Sequence, residues 1–140
     1  MVLKWVDDFD PSQALWRIDS CSDTELSART RPGLHPFLFL EAMAQTCGMH
    51  LRYRHDFLIQ VYLVSVSDLV YSPEGVDEEK LIRAMLRTET GAAALYSVQT
   101  PGGPICRMLM GFGQLPQGDE NHHILRERFL CLTGTTSWIG

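Results

Sequence analysis

The stretch Phe37 to Arg54, FLFLEAMAQTCGMHLRYR, decides the fold. It is about five helical turns long, and apolar side chains occupy nearly all of its circumference, the mark of a buried helix rather than a surface one. Pro36 precedes it, at the first helical position, where no backbone donor is required. Arg52 and Arg54 close it with positive charge, which suits a helix C-terminus. Inside this greasy run sits one carboxylate, Glu41, with four apolar residues before it and three after. A charge in such company is costly unless paired or protonated. Glu41 is therefore the first candidate functional residue, expected to be shut away from bulk water.

Outward from the helix, β signals dominate. Residues 14–20 (ALWRIDS) and 24–31 (TELSARTR) alternate as two strands around a polar turn at Cys21-Ser22-Asp23. RPGLHP is a Pro/Gly-punctuated loop leading into the helix. After it, residues 57–71 are rich in β-branched and aromatic side chains, with Asp68 marking a bend. Residues 80–90 (KLIRAMLRTET) suit helix by composition and strand by alternation, so they stay open. AAALYSVQT and PICRMLMGFGQL flank Pro101-Gly102-Gly103, a strong hairpin signal. The glycines of Gly111-Phe112-Gly113 read as relief of crowding where a strand passes close to the helix. The tail offers Ile124, Leu125, Phe129 and Leu132 at helical spacing. The order predicts an α+β domain over 1–115, with a C-terminal extension over 116–140 packing on or near it. One sheet of about five strands covers a greasy helix on one side only, so a partner subunit is expected to supply the rest.

Composition narrows the function classes. An apolar fraction of 45% and a charged fraction of 21% are ordinary for a globular protein. A net charge of −5 gives no basic face for nucleic acid or anionic membrane. No apolar run approaches the roughly 20 residues needed to span a bilayer, and the N-terminus has no signal-peptide core, so a cytoplasmic location is expected. Cys21, Cys47, Cys106 and Cys131 are scattered without metal-ligand spacing, which predicts reduced thiols and no metal. His122-His123 reads as part of a solvated linker, and His50 and His55 as helix and helix-end residues.

The helix resembles the central helix of the 3-hydroxyacyl-(acyl-carrier-protein) dehydratases. That family carries a Leu-Glu-Ala-Met-Ala-Gln core, matched here by Leu40 to Gln45. The resemblance implies a hotdog fold, an antiparallel sheet wrapped around one long central helix, in a dimer. It implies that Glu41 is the catalytic acid, helping a β-hydroxyl leave as water. The family's base is a histidine in a Gly-His-Phe-Pro loop. Without gaps its place falls on Ser27; with a shortened loop it falls on His35, the nearest histidine upstream of the helix. Gln45, one turn beyond Glu41, is expected to orient the carboxylate. Donors around Phe37 and Leu38 are expected to steady the thioester oxygen. The substrates implied are thioesters of an acyl-carrier protein or coenzyme A, with no cofactor. The arginine pairs Arg29/Arg31 and Arg52/Arg54 either receive the acidic carrier or are plain solvated charges. Two alternatives stay open: a hotdog acyl thioesterase that keeps the helix carboxylate alone, and a non-catalytic subunit that binds an acyl carrier or completes a heterodimer.

Overall fold

The computed structural model describes residues 14–34, 36–70, 79–116 and 120–134. Strands β1 (Leu15–Cys21) and β2 (Glu25–Thr30) form the first hairpin. Its turn is tied by the Ser22 hydroxyl, which accepts from the Thr24 and Glu25 amides at 3.3 Å each. Helix α1 (Pro36–Arg54) follows, then β3 (Ile59–Ser67), β4 (Leu81–Glu89), β5 (Ala93–Thr100) and β6 (Gly103–Gln114). A second helix, α2 (Asn121–Thr133), ends the described chain. Its C-cap is Gly134, whose φ of 75° is the left-handed conformation in which a residue with Cβ is strained.

All strand pairs are antiparallel, in the order β1-β2-β4-β5-β6-β3. The sheet thus has six strands among the described residues, one more than the sequence suggests. The ambiguous segment 80–90 is the reason. Tertiary context makes it β4, bonded on both edges, with Ile82 and Ala84 buried. Sheet pairing overrides its helical composition.

The helix lies against one face of this sheet. Leu38, Phe39, Ala42, Met43, Cys47 and Leu51 meet Leu26, Ala28, Tyr96, Met108 and Met110 in one buried cluster. Alternation sets which strand residues reach it: Cys106, Met108, Met110 and Phe112 of β6 are buried, whereas Arg107 between them is exposed. Gly111 belongs to the opposite face, and a Cβ there would run into the ring of Tyr62 on β3. The crowding that this glycine relieves therefore comes from the neighbouring strand, not from the helix as the sequence suggested.

The apolar residues at helical spacing in the tail belong to helix α2. Helix α2 closes on the rest of the chain through Phe129, which is fully enclosed. Its ring stacks on Tyr53 at 5.7 Å and meets Phe57 edge-on at 5.4 Å. Asp56 and Phe57 hold left-handed backbone angles (φ 54° and 63°) as the chain turns from α1 into β3. For a bulky residue this is strained, and burial of the Phe57 ring against Phe129 offsets the cost. Asp68, with φ 53°, ends β3 at the bend the sequence marked.

Candidate functional site

Two of the polar side chains of helix α1, Glu41 and His50, have opposite fates. Glu41 is exposed in this chain, against the expectation of burial. The apolar neighbours that suggested enclosure serve the core instead: Leu38, Phe39, Ala42 and Met43 are buried, and Glu41 falls on the stripe turned from the sheet. The side chain is not loose. Gln45 Nε2 donates to its Oε1 at 3.2 Å, and Arg128 Nη2 of α2 donates to Gln45 Oε1 at 3.3 Å. With its amide nitrogen and oxygen each engaged, Gln45 has one self-consistent orientation. A carboxylate, an amide and a guanidinium thus form a relay across the two helices.

Of the other residues picked from the sequence, Leu38 is buried in the core, and its side chain is a packing element. Its backbone stands in the first turn of α1, where amide groups have no partner inside the helix. His35 and the side chain of Phe37 lie outside the described residues. The structure therefore joins Glu41 to Gln45 and adds Arg128, which sequence spacing gave no means to find, since it lies 83 positions from Gln45.

His50 is the second polar residue and is fully enclosed. Its Nε2 stands 2.9 Å from the Ser22 carbonyl oxygen and its Nδ1 2.7 Å from the Tyr96 hydroxyl. A carbonyl only accepts, so Nε2 carries the proton and Nδ1 accepts from Tyr96. Burial pushes the imidazole pKa down, against an opposing effect of the Ser22 carbonyl, and Arg54 pushes it further down. His50 is a neutral strut between helix, first turn and sheet. Nearby, Arg54 binds Glu89 at 3.0 Å and the Asp23 carbonyl at 2.9 Å, so this arginine fastens the helix end. Arg29 is likewise engaged, with Asp19 at 2.7 Å and Glu79 at 3.1 Å.

All four cysteines are free thiols. Burial raises the Cys21 pKa to about 12 and that of Cys106 to about 11, and pushes Cys47 well above the ordinary thiol value. These three behave as packing groups, not nucleophiles, whereas Cys131 is exposed. Among the described residues no group of three His, Cys, Asp or Glu side chains is placed to hold a metal ion. No helix among them is long and apolar enough to cross a membrane. The paired rings of His122 and His123 lie 3.9 Å apart at the start of α2.

No protein-family model matches the chain, and no curated protein does either. Solved structures do match. A thioesterase from Haemophilus influenzae superimposes with a TM-score of 0.59 at 10% identity, covering 83% of this chain and 91% of the other. The dehydratase heterocomplex ApeI:P from Xenorhabdus doucetiae gives 0.56 at 12% identity, with the same coverage of 83% and 91%. A hypothetical thioesterase from Streptococcus pneumoniae, solved with coenzyme A, gives 0.56 at 11%, covering 72% and 88%. The chain has the hotdog fold. Within it, the long α1 is the helix packed against the sheet, and α2 closes on Tyr53 and Phe57.

Proposed function

We propose that this hotdog chain handles acyl thioesters, as a dehydratase-like protein for 3-hydroxyacyl groups carried on an acyl-carrier protein or coenzyme A. The observation that carries this reading is the position of Glu41, fixed by Gln45 on the open stripe of α1. That stripe needs a cover. The edge strand β3 supplies a fitting surface: Tyr62, Leu63 and Val64 are exposed at 57%, 40% and 52%. A strand edge unpaired among the described residues, with such side chains, is a template for another chain. A second copy, or a related hotdog subunit, joined there would bring its own residues over Glu41 and remove water from it.

In that enclosed slot, His35 would take the proton α to the thioester carbonyl. Glu41 would give a proton to the β-hydroxyl, which leaves as water, and the electron pair of the broken C–H bond becomes the new double bond. Burial favours the protonated carboxyl that this role requires. Amide donors of Phe37 and Leu38 at the helix start would hold the enolate oxygen. No cofactor is called for, since every proton comes from a side chain or the substrate.

Thioester hydrolysis is the second reading. It is favoured by Glu41 standing open beside an amide, the arrangement of a carboxylate that draws a proton from water without a histidine. A non-catalytic subunit is favoured by the absence of the Gly-His-Phe-Pro loop from the sequence. Incubation with 3-hydroxyacyl and crotonyl thioesters, following enoyl absorbance and free thiol together, separates the three. A change in enoyl signal without thiol release supports dehydration. Thiol release supports hydrolysis. Silence in both, with tight carrier binding, supports the subunit role. Activity that survives intact in Glu41→Gln would remove Glu41 from all catalytic readings.

A further inference from the structure

Glu41 is exposed and Gln45 half-buried. A pair one turn apart on a helix surface is by itself a weak interaction, made and broken as both side chains change rotamer. Packing also leaves the Gln45 amide room to turn. It lines a cavity of about 250 Å3 between α1 and α2, shared with Met49, Arg52, Leu125 and Arg128. One bond across that gap picks out an orientation: Arg128 Nη2 donates to Gln45 Oε1 at 3.3 Å. A guanidinium only donates, so it selects the amide rotamer with its oxygen toward α2 and its NH2 toward Glu41. The bond uses one of five N–H donors and does not require the rest of the guanidinium to be idle. Arg128 is aimed in turn by its neighbour Phe129, whose enclosed ring lies against Tyr53 and Phe57 and seats α2 on α1.

We propose that Arg128 is a positioning residue of the Glu41 site, acting through Gln45, and that it reserves Glu41 Oε2 as the oxygen that gives or takes the proton. The direction of the donors dictates the second part. The NH2 turned toward Glu41 can only donate, so Oε1, 3.2 Å away, is kept as an acceptor and carries no proton. A proton held by Glu41 therefore sits on Oε2, the oxygen turned from Gln45. As an acid Glu41 releases the proton there, and as a base toward water it receives one there. Loss of Arg128 removes the preference for this rotamer. A flipped amide would offer its oxygen to Glu41, accepting from a protonated carboxyl and repelling an ionised one, and the two carboxyl oxygens would lose their separate roles. The cation at the far end of the amide also polarises its N–H groups toward Glu41, which tightens the contact. Helix α2 is thereby part of the site. This role rests on Glu41 being the acid or base of the proposed reaction, whereas the lock on Gln45 exists with or without turnover.

NMR of the glutamine side-chain NH2 groups in the full chain tests the lock, with Gln45→Met identifying the Gln45 signals by their loss. In Arg128→Met these signals are expected to move toward those of a free glutamine side chain, and Arg128→Lys, which keeps a cationic donor, is expected to restore part of the shift. Arg126→Met, on the exposed face of the same helix, is expected to leave them unchanged. The ring signals of Tyr53, shifted by the stacked Phe129, report that α2 stays docked in each variant. Gln45 signals unmoved in Arg128→Met overturn the proposal, whatever the chemistry at Glu41. So does their movement only together with the Tyr53 signals in both Arg128 variants, which means that Arg128 merely holds α2 in place. Steady-state kinetics on the thioester that is turned over tests the role. Arg128→Met is expected to lower kcat about tenfold with KM within about threefold. In a Gln45→Met background it is expected to lower kcat no further, because it acts through that residue. A fall that persists in that background overturns the proposal, since Arg128 then acts by another route. Absence of any turnover in the native chain, with the Gln45 signals responding as expected, overturns the part played by Oε2 and the proposed reaction together and leaves the lock standing, so the two failures are told apart.

Discussion

Glu41 and His50 sit on the same helix, little more than two turns apart, and the structure treats them in opposite ways. The residue surrounded in sequence by Phe, Leu, Met and Ala faces outward, and the residue in the more mixed stretch before Leu51 is sealed. Local apolar density measures what a helix can bury; it does not say which way one particular position points. His50 is enclosed because both ring nitrogens find partners, Tyr96 and Ser22, that the fold brings from far along the chain. Glu41 is held by Gln45 one turn away, which is itself held by Arg128 of α2, and stays at the surface.

The contrast can be broken first at His50. Replacing it by Leu takes from the enclosed Tyr96 hydroxyl the acceptor it donates to, and from the Ser22 carbonyl the ring N–H it accepts. Urea unfolding is expected to show a loss of about 2–4 kcal/mol. A loss under about 0.5 kcal/mol would mean that the strut contributes nothing. The β3 edge comes next. Leu63→Lys is expected to turn the proposed dimer into a monomer, read by light scattering, while the monomer keeps its helix content by circular dichroism. An unchanged mass would move the partner surface elsewhere.

His50 also predicts a pH dependence smaller than the effect of its removal. Its folded-state pKa is depressed by burial, so the unfolded chain binds this proton more readily. Stability from this group is therefore whole above the unfolded value of about 6.5 and is lost as pH falls from there toward the lowered folded value. The slope from this one group is at most about 1.4 kcal/mol per pH unit. It should be absent in His50→Leu. The smallest expected change in stability is at Glu41: Glu41→Gln keeps a side chain that Gln45 can still meet, and stability should move by no more than about 0.5 kcal/mol. Activity toward thioesters in the same variant is expected to fall by about 100-fold or more, the range for removing a general acid or base. A stability change larger than the activity change would recast Glu41 as a structural residue.

The long helix, the two hairpins and their turns were legible in the sequence because each rests on signals within a few residues. Pro36 opens α1 and Arg54 closes it, and Pro101-Gly102 turns β5 into β6. The candidate site was legible in part. Leu40 to Gln45 pointed to Glu41 and to a partner one turn on, since i and i+4 share a helix face whatever the tertiary fold. The fate of residues 80–90 was decided by tertiary structure, because a segment of mixed propensity takes the form that its neighbours β2 and β5 can bond. So was the environment of Arg52, an ordinary helix-end cation by sequence that α2 turns into the wall of a cavity. Periodicity along one helix fixes which residues share a face, but which face meets the sheet, which meets α2 and which meets solvent is a property of packing between distant segments.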